Sequence, residues 1–482
     1  MNKLPLKSKL AYGGLGAGIS LPSQIAFSAI TFFYNVKLGL NPNLIGLAWM
    51  IFSIWNAVND PLFGFIGDST KSEKYGRRIP YIRFGAPIYG VIFILCWFPL
   101  VDIKNQLALF LNFIIVLFAF DTIFTILGLI NFTLPAEMAM TAKERSNLLV
   151  YGNILNSIAL LISFILPIIL LTGNGSLVDV SAFLVTMVLV GIISAVILFL
   201  SSFYLKENKY TQMETSLPVS KGIIETFKNK PFLIFEISNF SFTLAQTILT
   251  TAIFYYIDYI LVVSGLIASI PLLLVFLVIF AFLIVFNKLI VRYGVKKIFI
   301  FSILWTGLSF IILFFLGWIL TTALIGFVLI GIGMSGYMLS NQVLIADIVD
   351  YDETRTGKRR ETTYSGINAL LTKPAISIAN WLFLTIISSL GFQEGLQPQE
   401  YSAQLGILIG FTLIPAIFLI MGGIMMFLYR LDGPEWLSQK QELIKVHEKK
   451  ETDYLNYLEE KGIQTEKMGK KLAGIDEDLD EK

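Results

Sequence analysis

Long apolar runs separated by short polar intervals recur along most of the chain. A helix needs roughly 20 mostly apolar residues to cross the hydrocarbon of a bilayer. Candidate runs lie at 10–36, 41–66, 84–101, 106–134, 149–173, 179–204, 232–261, 264–287, 298–318, 320–346, 363–391 and 405–430. The pattern predicts an all-α polytopic membrane protein with twelve transmembrane helices. Connections such as 317–321 offer few polar residues to mark a turn, so these helix ends are only loosely fixed by the sequence.

Charge placement adds orientation. The intervals after runs 2, 4, 6, 8 and 10 hold 20 basic residues, whereas those on the other side hold only Lys37 and Lys104. Lysine and arginine accumulate in cytoplasmic loops, so both termini are expected in the cytoplasm. The longest polar interval between runs, 205–231, divides the membrane portion into 1–204 and 232–430. A weak repeat supports the division: Lys74-Tyr75-Gly76-Arg77-Arg78 and Arg292-Tyr293-Gly294-Val295-Lys296-Lys297 occupy corresponding places, their glycines 218 residues apart. Two pseudo-symmetric six-helix bundles with a solute site between them are a transporter architecture. Residues 431–482 form a charged cytoplasmic tail, expected to be solvated and partly disordered.

Composition narrows the chemistry. Of 482 residues only 15% are charged, against about 25% in soluble domains. A net charge of +2 gives no reason to expect nucleic-acid binding. The one cysteine, Cys96, and the one histidine, His447, exclude a disulfide framework and Cys- or His-based metal sites. No nucleophile–base or metal set is visible, so an enzyme is not expected, nor a cofactor. The basic start (Lys3, Lys7, Lys9) leads straight into an apolar run without a small-residue cleavage pattern, so no cleaved signal peptide is expected.

Ionisable residues inside the membrane are costly and therefore candidates for function. Asp60 falls inside run 2, Asp121 in run 4 and Lys373 in run 11, with Glu236 and Asp258 towards the ends of run 7. Asn56, Asn59 and Asp60 share one helix face at i, i+3 and i+4. They offer one carboxylate and two amide oxygens to a small cation, although a polar patch pairing with another helix would look the same. Lys373, just before Pro374, is expected to be buried against Asp60 or Asp121 rather than to snorkel. Asp68 with Arg77 and Arg78, and the acids Asp347 and Asp350 ahead of Lys358-Arg359-Arg360, are candidate gating charges or simply topology-setting ones. The Asp347–Glu353 acids resemble a metal site, but a solvated gate network is the expectation. Asn131, Asn153, Asn341, Gln342, Asn368 and Asn380 are amides in apolar segments, some joining helices and others lining a pathway.

Four motifs occur in order: Trp-Asn-Ala-Val-Asn-Asp-Pro-Leu at 55–62, Gly-Arg-Arg-Ile-Pro-Tyr at 76–81, Pro135-Ala136-Glu137-Met138 with Lys143-Glu144-Arg145-Ser146, and Ala346-Asp347-Ile348-Val349-Asp350-Tyr351. Together they resemble the glycoside–pentoside–hexuronide:cation symporters of the major facilitator superfamily, over residues 1 to about 430. The resemblance implies the major facilitator fold, a cation site on run 2, a sugar-like solute in a central cavity and a lysine in run 11. Asn59, Asp60 and Lys373 match; Asn56 stands where the family has a second acid. The family's galactoside-recognising acids fall at Ser20 and Leu127, and its nearby tryptophan and arginine at Asn131 and Asn153, which argues against a galactoside.

The expectation is a plasma-membrane symporter of a small neutral solute, a sugar or glycoside, driven by a monovalent cation. Asp60, Asn59 and Asn56 would bind the cation; Lys373, Asp121, Ser20, Asn131, Asn153 and Asn368 would serve substrate or coupling. With a single acid on run 2, a proton is favoured over sodium as the coupling ion. The alternatives are a carrier of lysolipid-like amphiphiles and a non-transporting membrane sensor.

Overall fold

The computed structural model describes residues 4–69, 78–139, 142–173, 180–205, 226–357, 360–433, 436–443 and 445. At Asp60, Pro61, 64–69, Ala136, Glu137, Ala142, Lys143, Glu361 and Thr362 the description covers the backbone only. The helices are α1 (Leu6–Phe32, prolonged by a π turn at Phe33–Lys37), α2 (Pro42–Ser69) and α3 (Ile79–Leu95). They continue with α4 (Gln106–Met138), α5 (Ala142–Leu171) and α6 (Ser181–Ser201). Next comes α7, Lys230–Thr251 prolonged through Ile253–Tyr256 and a π turn at Ile257–Leu261. After it follow α8 (Gly265–Tyr293), α9 (Val295–Leu316), α10 (Leu320–Thr356) and α11 (Glu361–Ser389). Last is α12, Tyr401–Leu408 continuing through a π turn at Ile409–Leu413 into Ile414–Met425.

Among the described residues ten helices are long and apolar enough to cross a membrane, and α3 is apolar but shorter. The chain is an all-helical, multi-pass membrane protein. Aliphatic and aromatic side chains such as Ile54, Ile115, Ile284 and Phe315 turn outward, as surfaces facing lipid do.

Local chemistry explains the helix ends. Asn105 caps α4 by accepting from the amides of Leu107 and Ala108, both at 3.1 Å. Asn229 caps α7 by accepting from Phe232 N at 3.3 Å, and Pro231 fits the first turn, where no amide partner is needed. Gly357 closes α10 with φ +68°, a left-handed cap. Three ends differ from expectation for one reason. The sequence reading required apolar residues, but α3 begins at Ile79, α5 begins at Ala142 and α10 runs on to Thr356. Helical hydrogen bonding continues through charged residues once they leave the hydrocarbon.

In the packing, α1 lies against α5 and α6, α3 against α6 and α4, and α2 against α4. In the later half α9 lies against α10 and α12, α8 against α10, and α7 against α11 and α12. Contacts between the halves run chiefly along α2 with α11 and α5 with α8. Small residues permit the closest crossings: a Cβ on Gly90 of α3 would sit 2.7 Å from the Gly191 carbonyl oxygen of α6.

The tail departs from expectation in its first part. Residues 436–443 are helical, with Trp436 and Leu443 buried and Tyr351 edge-on to Trp436 at 5.9 Å. Lys440 pairs with Asp347, and Lys296 with Asp432 at 3.1 Å. An indole needs an apolar seat, and the α10 end supplies one. Residues 446–482, and 206–225 of the central loop, lie outside the described residues.

Candidate functional site

Asn56 and Asn59 occupy one face of α2 and are buried, Asn59 completely. The Asn59 side-chain amide donates to Asp121 Oδ2 at 2.7 Å and to Thr125 Oγ1 at 3.1 Å. Asp121 and Thr125 are one turn apart on α4 and buried in turn. Trp55 stacks on Phe118 with ring centroids 5.1 Å apart, clamping α2 to α4 beside the amides. Oδ1 of Asn56 and Oδ1 of Asn59 are both buried and accept no hydrogen bond. Leaving such a group unsatisfied costs about 1–3 kcal/mol, and these two lie on one face of α2. Amide, hydroxyl and carboxylate oxygens suit a hard cation. No grouping of three or more His, Cys, Asp or Glu side chains occurs among the described residues. The helix puts Asp60 next to Asn59; its side chain lies outside the described residues.

The pairing of Asn59 with Asp121 was not legible from spacing, because 62 residues separate them. Thr125 was missed altogether, although its i+4 relation to Asp121 was the available signal. The expected preference for a proton counted one acid on run 2; Asp121, from run 4, brings another carboxylate to the same cluster.

A second polar cluster joins three helices of the later half. Asn239 of α7 donates to Asn368 Oδ1 of α11 at 2.5 Å and accepts from the Tyr337 hydroxyl of α10 at 2.6 Å. Glu236, one turn before Asn239, is buried beside them, and Phe242 stacks on the Tyr337 ring. Asn368, a candidate from the sequence, is thus a junction; Asn239 and Tyr337 were not singled out.

The other candidates are scattered. Lys373 is half-buried on α11, the helix that packs on α2. Ser20 is half-buried on α1, its carbonyl accepting from Ser23 Oγ at 3.1 Å. Asn131 faces Gly16 of α1, with its Oδ1 buried and unsatisfied. Leu127 is fully buried, close to Gly85 of α3. Asn153 is exposed on α5, away from the clusters above. Among the gating candidates, Arg77 and the Asp68 side chain lie outside the described residues, and Arg78 immediately precedes α3. Asp347 is buried against Lys440, Asp350 is half-buried, and Asp352 accepts from Arg360 Nε at 2.7 Å and Nη2 at 2.6 Å. The acids at this end of α10 are therefore largely desolvated and paired, not a solvated network.

Hydrogen bonds between the halves gather at the end away from the termini. Tyr255 donates to Asn35 Oδ1 at 2.9 Å, and Asn35 donates to the Leu40 carbonyl at 2.9 Å and to Glu394 at 3.3 Å. Thr31 donates to Asn380 at 3.2 Å and accepts from the Trp49 indole at 2.9 Å. Asp258 accepts from the Gly173 amide at 2.7 Å. Asn35 and Asp258 lie in the π turns that prolong α1 and α7, a local irregularity often found where helices do work.

The sequence family model described as MFS/sugar transport protein matches residues 10–433. The chain belongs to that family. It is a membrane transporter of the major facilitator superfamily and not an enzyme, as its motifs had implied. An uncharacterized symporter of Bacillus subtilis, YnaJ, is 24% identical over 479 residues, covering 95% of this chain and 98% of the relative. The isoprimeverose transporter of Lactiplantibacillus pentosus is 21% identical over 447 residues, covering 90% of each. A solved D-xylose–proton symporter superposes with a TM-score of 0.63 at 14% identity, over 88% of this chain and 96% of that one; the likeness is one of fold.

Proposed function

We propose that this family member is a cation-coupled symporter of a small neutral solute, a sugar or glycoside. Twelve membrane crossings, grouped as two six-helix bundles at 1–204 and 232–430, would alternate access to a central site, with both termini in the cytoplasm and the protein in the plasma membrane. The observation that carries the reading is the buried oxygen cluster of Asn56, Asn59, Asp121 and Thr125, with its two unsatisfied amide oxygens. An amide oxygen does not titrate at neutral pH but ligates a metal cation readily. Sodium is therefore the coupling ion of this proposal, in place of the proton expected from the sequence. Asp121 and Asp60 supply charge, and the amides and Thr125 supply the remaining ligands. Lys373, on the helix packed against α2, would report cation occupancy to the solute cavity.

The family's description as sugar transport and the name of the isoprimeverose transporter support the solute class. The test is a thermal-shift panel on purified protein, with sugars, glycosides and lysolipids each measured in sodium and in choline. A sugar or glycoside that stabilises only in sodium supports the proposal. A lysolipid shift with no sugar shift would move the solute class to amphiphiles.

A further inference from the structure

Glu236 has no part in the coupling just described. It is 4% exposed on α7, inside a helix long and apolar enough to span a membrane. Among the described residues no lysine, arginine or histidine pairs with it. Two amides face it: the Asn239 side chain, one turn along α7, hydrogen-bonds its carboxyl, and Asn368 of α11 meets it from across. The Asn368 side-chain atom that accepts from Asn239 also lies 3.0 and 3.1 Å from the two Glu236 carboxyl oxygens. An amide oxygen and an ionised carboxylate are both acceptors and cannot bond to each other.

Only two arrangements satisfy this contact. In the first, Glu236 carries a proton and donates it to Asn368 Oδ1. Asn239 then donates to the same oxygen and accepts from the Tyr337 hydroxyl, which are the bonds observed. In the second, Glu236 is ionised and the Asn368 amide is turned over, so that its nitrogen donates to the carboxylate. Asn239 must then turn as well, presenting its oxygen to Asn368 and its nitrogen to the Tyr337 oxygen, and giving up its own bond to Glu236, which the Asn368 nitrogen replaces. One proton at Glu236 therefore sets the direction of every hydrogen bond from α11 through α7 to α10. Phe242, stacked on Tyr337 with ring planes 9° apart, holds the far end of the chain in place.

We infer that Glu236 is a proton-binding site, and that its proton reverses the hydrogen-bond polarity of the chain Asn368–Asn239–Tyr337. The proton comes from water and forms one O–H bond on the carboxyl. The half-buried Asn368 turns its amide nitrogen away from Glu236 when the acid is protonated and its oxygen away when the acid is ionised. It would thus offer a solute hydroxyl a donor or an acceptor according to pH. That last step rests on the transport reading; the proton binding does not.

The neighbours of α7 leave the assignment unambiguous. Tyr337 is the titratable group of α10 in the chain. On α11, the Tyr364 hydroxyl accepts from Asn229, and Lys373 is five residues beyond Asn368, well round the helix. The α12 segment 401–428 contains no Asp, Glu, Lys or Arg. On α1, Lys9 pairs with Glu144 at 3.6 Å, and Lys7 lies over the Tyr204 ring.

The test is pH-difference infrared spectroscopy of the full-length protein reconstituted in liposomes, following the carbonyl stretch of protonated carboxyl groups with no solute added. Wild type should show a band that Glu236→Gln lacks and Glu236→Asp keeps, and Tyr337→Phe should move its pH midpoint. Spectra of wild type and Glu236→Gln that superimpose would overturn the proposal. Glutamine can donate to Asn368 Oδ1 as the protonated acid does, so this variant should fold. If it does not, Tyr337→Phe carries the test: a moved midpoint supports the chain, and an unmoved one overturns it.

Discussion

Replacing Asn59 by alanine separates the structural role of the α2–α4 cluster from its cation role. Two hydrogen bonds disappear, one to the Asp121 carboxylate at 2.7 Å and one to the Thr125 hydroxyl at 3.1 Å. A bond to a charged group contributes about 1.5–3 kcal/mol and a neutral one about 1 kcal/mol, so the gross loss is about 2.5–4 kcal/mol. Against this, the unsatisfied Asn59 Oδ1 is removed, which returns about 1–3 kcal/mol. Without a binding cation, the variant should therefore be destabilised by no more than about 3 kcal/mol. Sodium changes the comparison. A ligand at 100 times its Kd stabilises the folded state by about 2.7 kcal/mol, and a variant without the site gains none of it. The assay is thermal unfolding of purified protein over a sodium series, with choline holding ionic strength constant. Wild type should climb with sodium while Asn59→Ala stays flat, so that the gap widens. Parallel curves would refute the reasoning, because the two orphaned oxygens would then not be sodium ligands.

Other consequences are checked more simply. Lys373→Ala should lose most solute uptake in reconstituted vesicles at normal expression, while sodium still stabilises the protein; wild-type uptake would make this lysine a bystander. Asn35→Ala removes the bonds to Leu40, Glu394 and Tyr255 and should favour opening at the end away from the termini. A cysteine placed at the buried Ile253, in a Cys96→Ala background, should then label faster from that side. Trp436→Ala takes a buried indole from its seat against Tyr351 at a cost of about 3–5 kcal/mol, more than a short helix can bear; the tail should become sensitive to limited proteolysis. Gly90→Val should force α3 from α6, since even a Cβ meets the Gly191 carbonyl at 2.7 Å, and folded yield should fall.

The sequence made the helices legible because hydrocarbon imposes one simple demand, a run of apolar residues of fixed length. It made helix ends less legible where charged turns continue a helix beyond the membrane, as at Ala142 and Thr356. Asn56 and Asn59 were readable because helical periodicity puts them on one face. Their partners were not, since only the packing of α2 on α4 brings Asp121 and Thr125 to them. The chain from Glu236 to Tyr337 was hidden for the same reason: its members come from three helices, and 98 residues separate Asn239 from Tyr337. Trp436 was obscured by the charged sequence around it, which reads as solvated until an apolar seat on α10 is known.

The most direct test of the coupling account uses proteoliposomes and the glycoside that gives the largest sodium-dependent thermal shift. Uptake is measured under an imposed sodium gradient at equal pH, and separately under a pH gradient without sodium, for wild type and Asp121→Asn. The account predicts accumulation by wild type under the sodium gradient alone, and none by the variant. Accumulation driven by the pH gradient alone, or equal accumulation by the variant, would contradict it.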